Sequence, residues 1–215
     1  MTLTAELYFS FRSPYSYLSV GRYRAMTEEF VLNIALSPVY PLAIRQPDFF
    51  ERNHPNWLGY TMRDMLRVAQ FHGIPFGVPR PDPIIQDMAT RQIAEDQPNI
   101  RRVTRMGQAA ARRGAGLVFA AEAGRMIWGG QENWHGGGHL ERAIEAAGLG
   151  VEEIIAEVEG EGQALDAEIA ANQDALEKAG HWGVPTLVFD GEPFFGQDRI
   201  EMAMWRMDQK GLQKR

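Results

Sequence analysis

The chain has 215 residues, 45% hydrophobic and 23% charged, with a formal net charge of −6 and no cysteine. That balance suits a globular protein, and an acidic chain with 19 Arg and 3 Lys is a poor candidate for nucleic acid. Without cysteine the chain itself carries no disulfide, thiolate metal site, cysteine nucleophile or dithiol couple, so any thiol chemistry uses a borrowed thiol.

Leu7, Phe9 and Phe11 alternate with Tyr8 and Ser10, which predicts a short strand. Ser13-Pro14 then opens a helix over 14–29. Pro14 suits its first turn, where a missing N–H costs nothing, and Ser13 is the N-cap. A helix N-terminus directly after a buried strand gathers free N–H groups and favours an anion or a thiolate. Residues 30–39 form a second β-rich run, ended by Pro38 and Pro41, so a βαβ unit with parallel strands is expected.

From Pro41 to about Gly180 the pattern is helical. A helix is expected over 57–72, stopping at Gly73, with its Leu58, Met62, Met65 and Leu66 stripe in the core. Residues 78–83, Val-Pro-Arg-Pro-Asp-Pro, predict an extended loop. Helices are expected over 84–96, 98–123, 139–147, 151–159 and about 162–179. Val184-Pro185-Thr186-Leu187-Val188-Phe189 then reads as a strand, Asp190-Gly191 as a hairpin turn and Glu192–Phe195 as the returning strand. Gly196–Arg199 opens a last helix. The two ends make one unit, 1–40 plus 181–215, interrupted by an inserted helical domain, 41–180.

Lesser features read blandly. Arg102, Arg105, Arg112 and Arg113 suggest a solvated helix face. His135 and His139 are four apart, but the glycines between them argue against a helical metal pair, and no metal is expected. Trp128 and Trp134 suggest packing rather than a pocket. No apolar run approaches the ~20 residues that span a bilayer, and no leader precedes the first strand, so a cytoplasmic location is expected.

The order βαβ, helical block, ββα, with Val184-Pro185-Thr186 before the third strand, resembles the thioredoxin fold. The large all-helical insertion after the second strand resembles its DsbA and kappa-class branch. There, Ser13 and Ser16 occupy the two places of the redox cysteines, as in 2-hydroxychromene-2-carboxylate isomerases and kappa-class glutathione transferases. Phe9–Tyr17, Trp182–Thr186 and Phe194–Arg199 match that family's separated motifs, and Tyr60, Asp64, Arg67 and Gly73-Ile74-Pro75 resemble its inserted helices.

The resemblance implies an α/β enzyme that uses glutathione. Ser13 would donate a hydrogen bond to the glutathione sulfur; taken alone, it is only a helix cap. Val184 would pair with the peptide backbone ahead of a cis Pro185. Asp198 would hold the γ-glutamyl ammonium, and the N–H groups of Gln197 and Asp198 its carboxylate. Asn53, or else Asn56, would touch glutathione or substrate. The family's nearby Lys is missing, with Arg52 or Arg63 as the available substitutes. The implied activity is isomerisation of an aromatic-degradation intermediate, a small aromatic carboxylate, by reversible thiolate addition. The alternatives are a kappa-like transferase that consumes glutathione and a binding protein without redox cysteines. Relatives imply a homodimer, and no membrane or nucleic-acid partner is expected.

Overall fold

The computed structural model describes residues 2–46, 54–87 and 92–215. Strand β1 (Leu3–Phe9), helix α1 (Pro14–Glu29) and strand β2 (Leu32–Pro38) form the first unit. Helices α2 (Leu42–Arg45), α3 (Asn56–His72), α4 (Pro98–Arg112), α5 (Gly116–Trp128), α6 (His139–Ala146), α7 (Val151–Gly160) and α8 (Gly162–Lys178) follow. The chain closes with β3 (Thr186–Phe189), β4 (Glu192–Phe195) and α9 (Ile200–Asp208). This is an α/β, thioredoxin-like fold with a helical insertion after the second strand.

The sheet order is β2-β1-β3-β4. β1 runs parallel to β2, with Leu7 opposite Leu36, and antiparallel to β3, with Leu7 opposite Leu187. β1 therefore lies between partners from the two ends of the chain, so neither end completes the sheet alone. Ala5, Leu7 and Phe9 face the main core with Leu18 and Tyr23 of α1 and Phe119 of α5. Tyr8 faces the other side of the sheet and packs on Leu176 of α8. Asp190 and Gly191 both have positive φ, which suits the tight β3–β4 hairpin.

Several expectations need correction. No helix forms over the described residues of 84–96. Asp82 accepts from the Ile84 N–H, while the Gln97 side chain bonds the Ile85 N–H and the carbonyls of Ile85 and Ala94. Side chains thus take up backbone groups that a helix would pair internally. The expected helix over 98–123 breaks into α4 and α5 at Arg113–Ala115, and the short α2 gave no signal.

The stripe on α3 is split. Met65 and Ala69 are buried, whereas Leu58, Met62 and Leu66 are 56, 40 and 49% exposed. Periodicity gives the spacing of an apolar face but not which face meets the rest of the protein.

The arginines of α4 are engaged rather than simply solvated. Arg102 pairs with Glu141, and Arg105 with Asp166. Arg112 pairs with Glu157, Glu161 and Glu168, and Arg113 with Glu157. Their partners lie on α6, α7 and α8, or in the α7–α8 junction, so the charges clamp the helical block.

α4 also backs the site. A Cβ on Gly107 would stand 2.7 Å from the Phe11 ring. That ring is fully buried, edge-on to Phe9 and Phe119. The Phe11 carbonyl is held by the Trp128 indole N–H at 3.0 Å, so Phe11 has little room to yield. Gly107→Val is expected to cost about 1–3 kcal/mol through overpacking. Its thermal midpoint should fall by about 2–4 °C for each kcal/mol. An unchanged melting curve would show that Phe11 repacks freely.

Candidate active site

Ser13 caps α1 as the Ser-Pro pair predicts. Its backbone is extended, with φ −87° and ψ 115°, and its Oγ accepts from the Ser16 N–H at 3.2 Å. The first turn of α1 carries no acidic side chain of its own.

The Ser13 hydroxyl donates to the Val184 carbonyl at 3.3 Å, across 171 residues of chain. Ordinary O–H···O bonds are shorter, about 2.5–3.0 Å, so this one is weak. The Ser16 N–H holds the oxygen in place while the hydroxyl proton is free to rotate toward a stronger acceptor. Ser16 itself is fully buried, and its Oγ has no partner among the described residues.

The Val184–Pro185 bond is cis. Among the described residues the Val184 N–H makes no backbone hydrogen bond, leaving a donor beside Ser13. Thr186, buried at the start of β3, donates through Oγ1 to the Gly183 carbonyl at 2.7 Å and shapes this loop.

Gln197 and Asp198 lie in the turn between β4 and α9, not in the helix itself. α9 starts at Ile200 with Arg199 as its N-cap, later than Gly196–Arg199 suggests. The reason is Gly196. Its φ is +103°, its N–H donates to the Pro185 carbonyl at 2.8 Å, and a Cβ there would stand 2.6 Å from Asp198 Oδ1. The chain must turn before it can wind. Neither the Gln197 nor the Asp198 N–H donates to a backbone carbonyl among the described residues. The Asp198 carboxylate pairs with Arg199 at 2.7 Å, and both side chains are largely exposed.

Asn53 and Arg52 lie outside the described residues. Asn56 opens α3 in an exposed position, its N–H donating to His54 Nδ1 at 3.2 Å, and Arg63 is exposed. Asp64, in contrast, reaches the site: the Tyr15 hydroxyl donates to Asp64 Oδ2 at 2.8 Å, tying α3 to the first turn of α1. Burial first, and then the Asp64 carboxylate, raises the Tyr15 pKa, so the phenol stays protonated as a donor.

Two features escape sequence reasoning. Arg45, on α2, donates from Nε to the Tyr40 carbonyl at 2.7 Å and from Nη2 to the Trp182 carbonyl at 2.9 Å. It ties the end of the β2 segment to the loop before Pro185. The signal was absent because α2 is one turn long. Next, His181 stacks between Trp182, at 4.6 Å, and Phe195, at 4.0 Å. Trp182 and Phe195 belong to the motifs at 182–186 and 194–199, with His181 just before the first, but only folding makes the three rings one stack.

The row of groups runs from the Ser13 hydroxyl and the α1 N-terminus, through the Val184 N–H, to the two N–H groups and carboxylate at 197–198. The Ser13–Val184 and Gly196–Pro185 hydrogen bonds link these groups into one surface.

The DSBA-like thioredoxin domain model matches residues 4–207. No curated protein sequence matches the chain. Among solved structures, a 2-hydroxychromene-2-carboxylate isomerase superposes with a TM-score of 0.70 at 22% identity, covering 96% of this chain and 95% of that one. A probable DsbA oxidoreductase from Streptomyces coelicolor gives 0.68 at 15% identity, covering 96% and 89%. The cytosolic disulfide reductase DsbM from Pseudomonas aeruginosa, solved with GSH, gives 0.63 at 20% identity, covering 97% and 100%. At these identities the likeness is one of fold.

Proposed function

The chain belongs to the DSBA-like thioredoxin family, and from that premise we propose that it is a glutathione-dependent isomerase of the 2-hydroxychromene-2-carboxylate type. One observation carries the reading: in a chain without cysteine, a serine hydroxyl at a helix N-terminus meets the carbonyl just before a cis-proline. Such a pairing suits a thiol that the chain does not possess. Two relatives by fold add support, one an isomerase of this type and one solved with GSH.

When bound, glutathione would supply a thiolate for reversible addition to an unsaturated carbon conjugated to a carbonyl, which would permit bond rotation or ring opening in the substrate. Ser13 donates to the sulfur and, with the α1 N-terminus, lowers the thiol pKa so that the anion forms at neutral pH. The Val184 N–H holds the peptide backbone. The Gln197 and Asp198 N–H groups take the γ-glutamyl carboxylate, and the Asp198 carboxylate takes the ammonium after releasing Arg199. Asn53 is a further candidate for a contact with glutathione or substrate. The substrate is a small aromatic carboxylate, for which the half-exposed rings of Trp182 and Phe195 offer stacking surface.

The protein acts in the cytoplasm as a homodimer. The uncovered Leu58, Met62 and Leu66 on α3 supply apolar surface suited to a second copy. Among the described residues no helix is long and apolar enough to cross a membrane.

Calorimetry with glutathione, followed by titration of free thiol during turnover of a 2-hydroxychromene-2-carboxylate, tests the reading. Binding with the thiol conserved is expected. Stoichiometric loss of thiol would instead make the protein a kappa-like transferase, and no binding at millimolar glutathione would remove the glutathione reading altogether.

A further inference from the structure

The turn that carries Gln197 and Asp198 is tied down on two sides. The Gly196 N–H reaches the Pro185 carbonyl, as described above. From the other side Arg22 donates through Nη1 to the Gln197 carbonyl at 2.9 Å, with the Gln197 side-chain oxygen at 3.4 Å. Arg22 lies nine residues after Ser13 on the same helix. A closed run of contacts therefore leaves α1 at Ser13, passes through Val184-Pro185 and Gly196-Gln197, and returns to α1 at Arg22.

The direction of the Gln197 carbonyl matters because the Gln197–Asp198 peptide is not among the cis bonds. In a planar trans peptide the C=O and the following N–H point in opposite directions. With its carbonyl drawn toward α1, this peptide turns the Asp198 N–H away from α1. No carboxylate pairs with Arg22 among the described residues, and Asp198 turns to Arg199 instead. Arg22 therefore stands, without a direct carboxylate partner, behind a donor that faces away from it, and both favour an anion at the turn.

We propose that Arg22 is the positioning residue for an amino-acid head group at this turn: it orients the Asp198 N–H toward the carboxylate while Asp198 takes the neighbouring ammonium. The proposal rests on the glutathione reading and names the residue that sets affinity for its γ-glutamyl end. Arg22 acts on that end only, and the sulfur lies with Ser13 at the start of the helix.

Binding of glutathione and of cysteinylglycine, which lacks the γ-glutamyl group, is to be measured by calorimetry for the parent protein and for Arg22→Met, Arg22→Gln and Arg22→Lys. Arg22→Met and Arg22→Gln should bind glutathione three- to tenfold more weakly. Their affinity for cysteinylglycine and the pKa of the bound thiol should not change. Arg22→Lys, whose ammonium still reaches a carbonyl, should recover part of the loss. If Arg22→Met unfolds, Arg22→Gln decides, since it keeps a polar side chain of similar reach. Unchanged glutathione affinity, or equal weakening of both peptides, overturns the role of Arg22 and leaves the glutathione reading standing. A parent protein that binds neither peptide overturns both.

Discussion

Ser13→Ala is expected to lower kcat/KM of the glutathione-dependent reaction roughly 10- to 100-fold. The estimate follows from losing one hydrogen bond to an ionised group, about 1.5–3 kcal/mol, at about 1.4 kcal/mol per decade of rate. The same loss should appear in a direct titration, with the pKa of the bound thiol raised by about one unit or more, since one unit corresponds to about 1.4 kcal/mol. Ser13 also caps α1, so stability must be separated from chemistry. Alanine at an N-cap costs about 1 kcal/mol, whereas glycine costs only a few tenths. Ser13→Gly should therefore lose as much activity as Ser13→Ala while staying closer to the parent in stability. If both variants keep full activity and an unshifted thiol pKa, Ser13 is a cap and nothing more.

Asp198→Asn is expected to weaken glutathione roughly 10-fold, about 1.4 kcal/mol. The group is exposed and already pairs with Arg199, so a larger loss is not expected. The effect should shrink as salt rises, because an exposed charge pair is screened within about 8–10 Å at physiological ionic strength. A glutathione analogue lacking the α-amino group completes a double-mutant cycle. It should bind the parent about as weakly as glutathione binds Asp198→Asn, with little further loss in the variant. Full additivity of the two changes would mean that Asp198 does not meet the ammonium.

The βαβ and ββα ends were legible because each rests on local rules. Alternating apolar residues mark β1, Ser13-Pro14 marks the start of α1, and Asp190-Gly191 marks the hairpin. The gap in that reading is the region around 84–97. There Gln97 satisfies backbone groups on Ile85 and Ala94, a substitution that no periodicity reveals. The exposed half of α3 has a related cause: 58, 62 and 66 have the same helical spacing whether or not anything covers them. Ser13, Val184, Pro185, Gln197 and Asp198 were each proposed for the site through motifs. Tyr15, Arg22, Arg45 and His181 were missed because their partners Asp64, Gln197, Trp182 and Phe195 are distant in the chain or embedded in another motif.

By itself the sequence determined that any thiol used here is borrowed, since no cysteine is present. It also determined that α1 begins at a capped Ser-Pro pair directly after a buried strand. These are matters of residue chemistry and local backbone geometry. Only the tertiary structure decided what the Ser13 hydroxyl faces. β1 lies between β2 and β3, and this pairing brings the peptide before Pro185 to the α1 N-terminus across 171 residues. It also decided where the second anchor stands. Gly196 turns the chain ahead of α9, and Arg22 holds the Gln197 carbonyl, so the free N–H groups belong to a braced turn and not to the first turn of a helix.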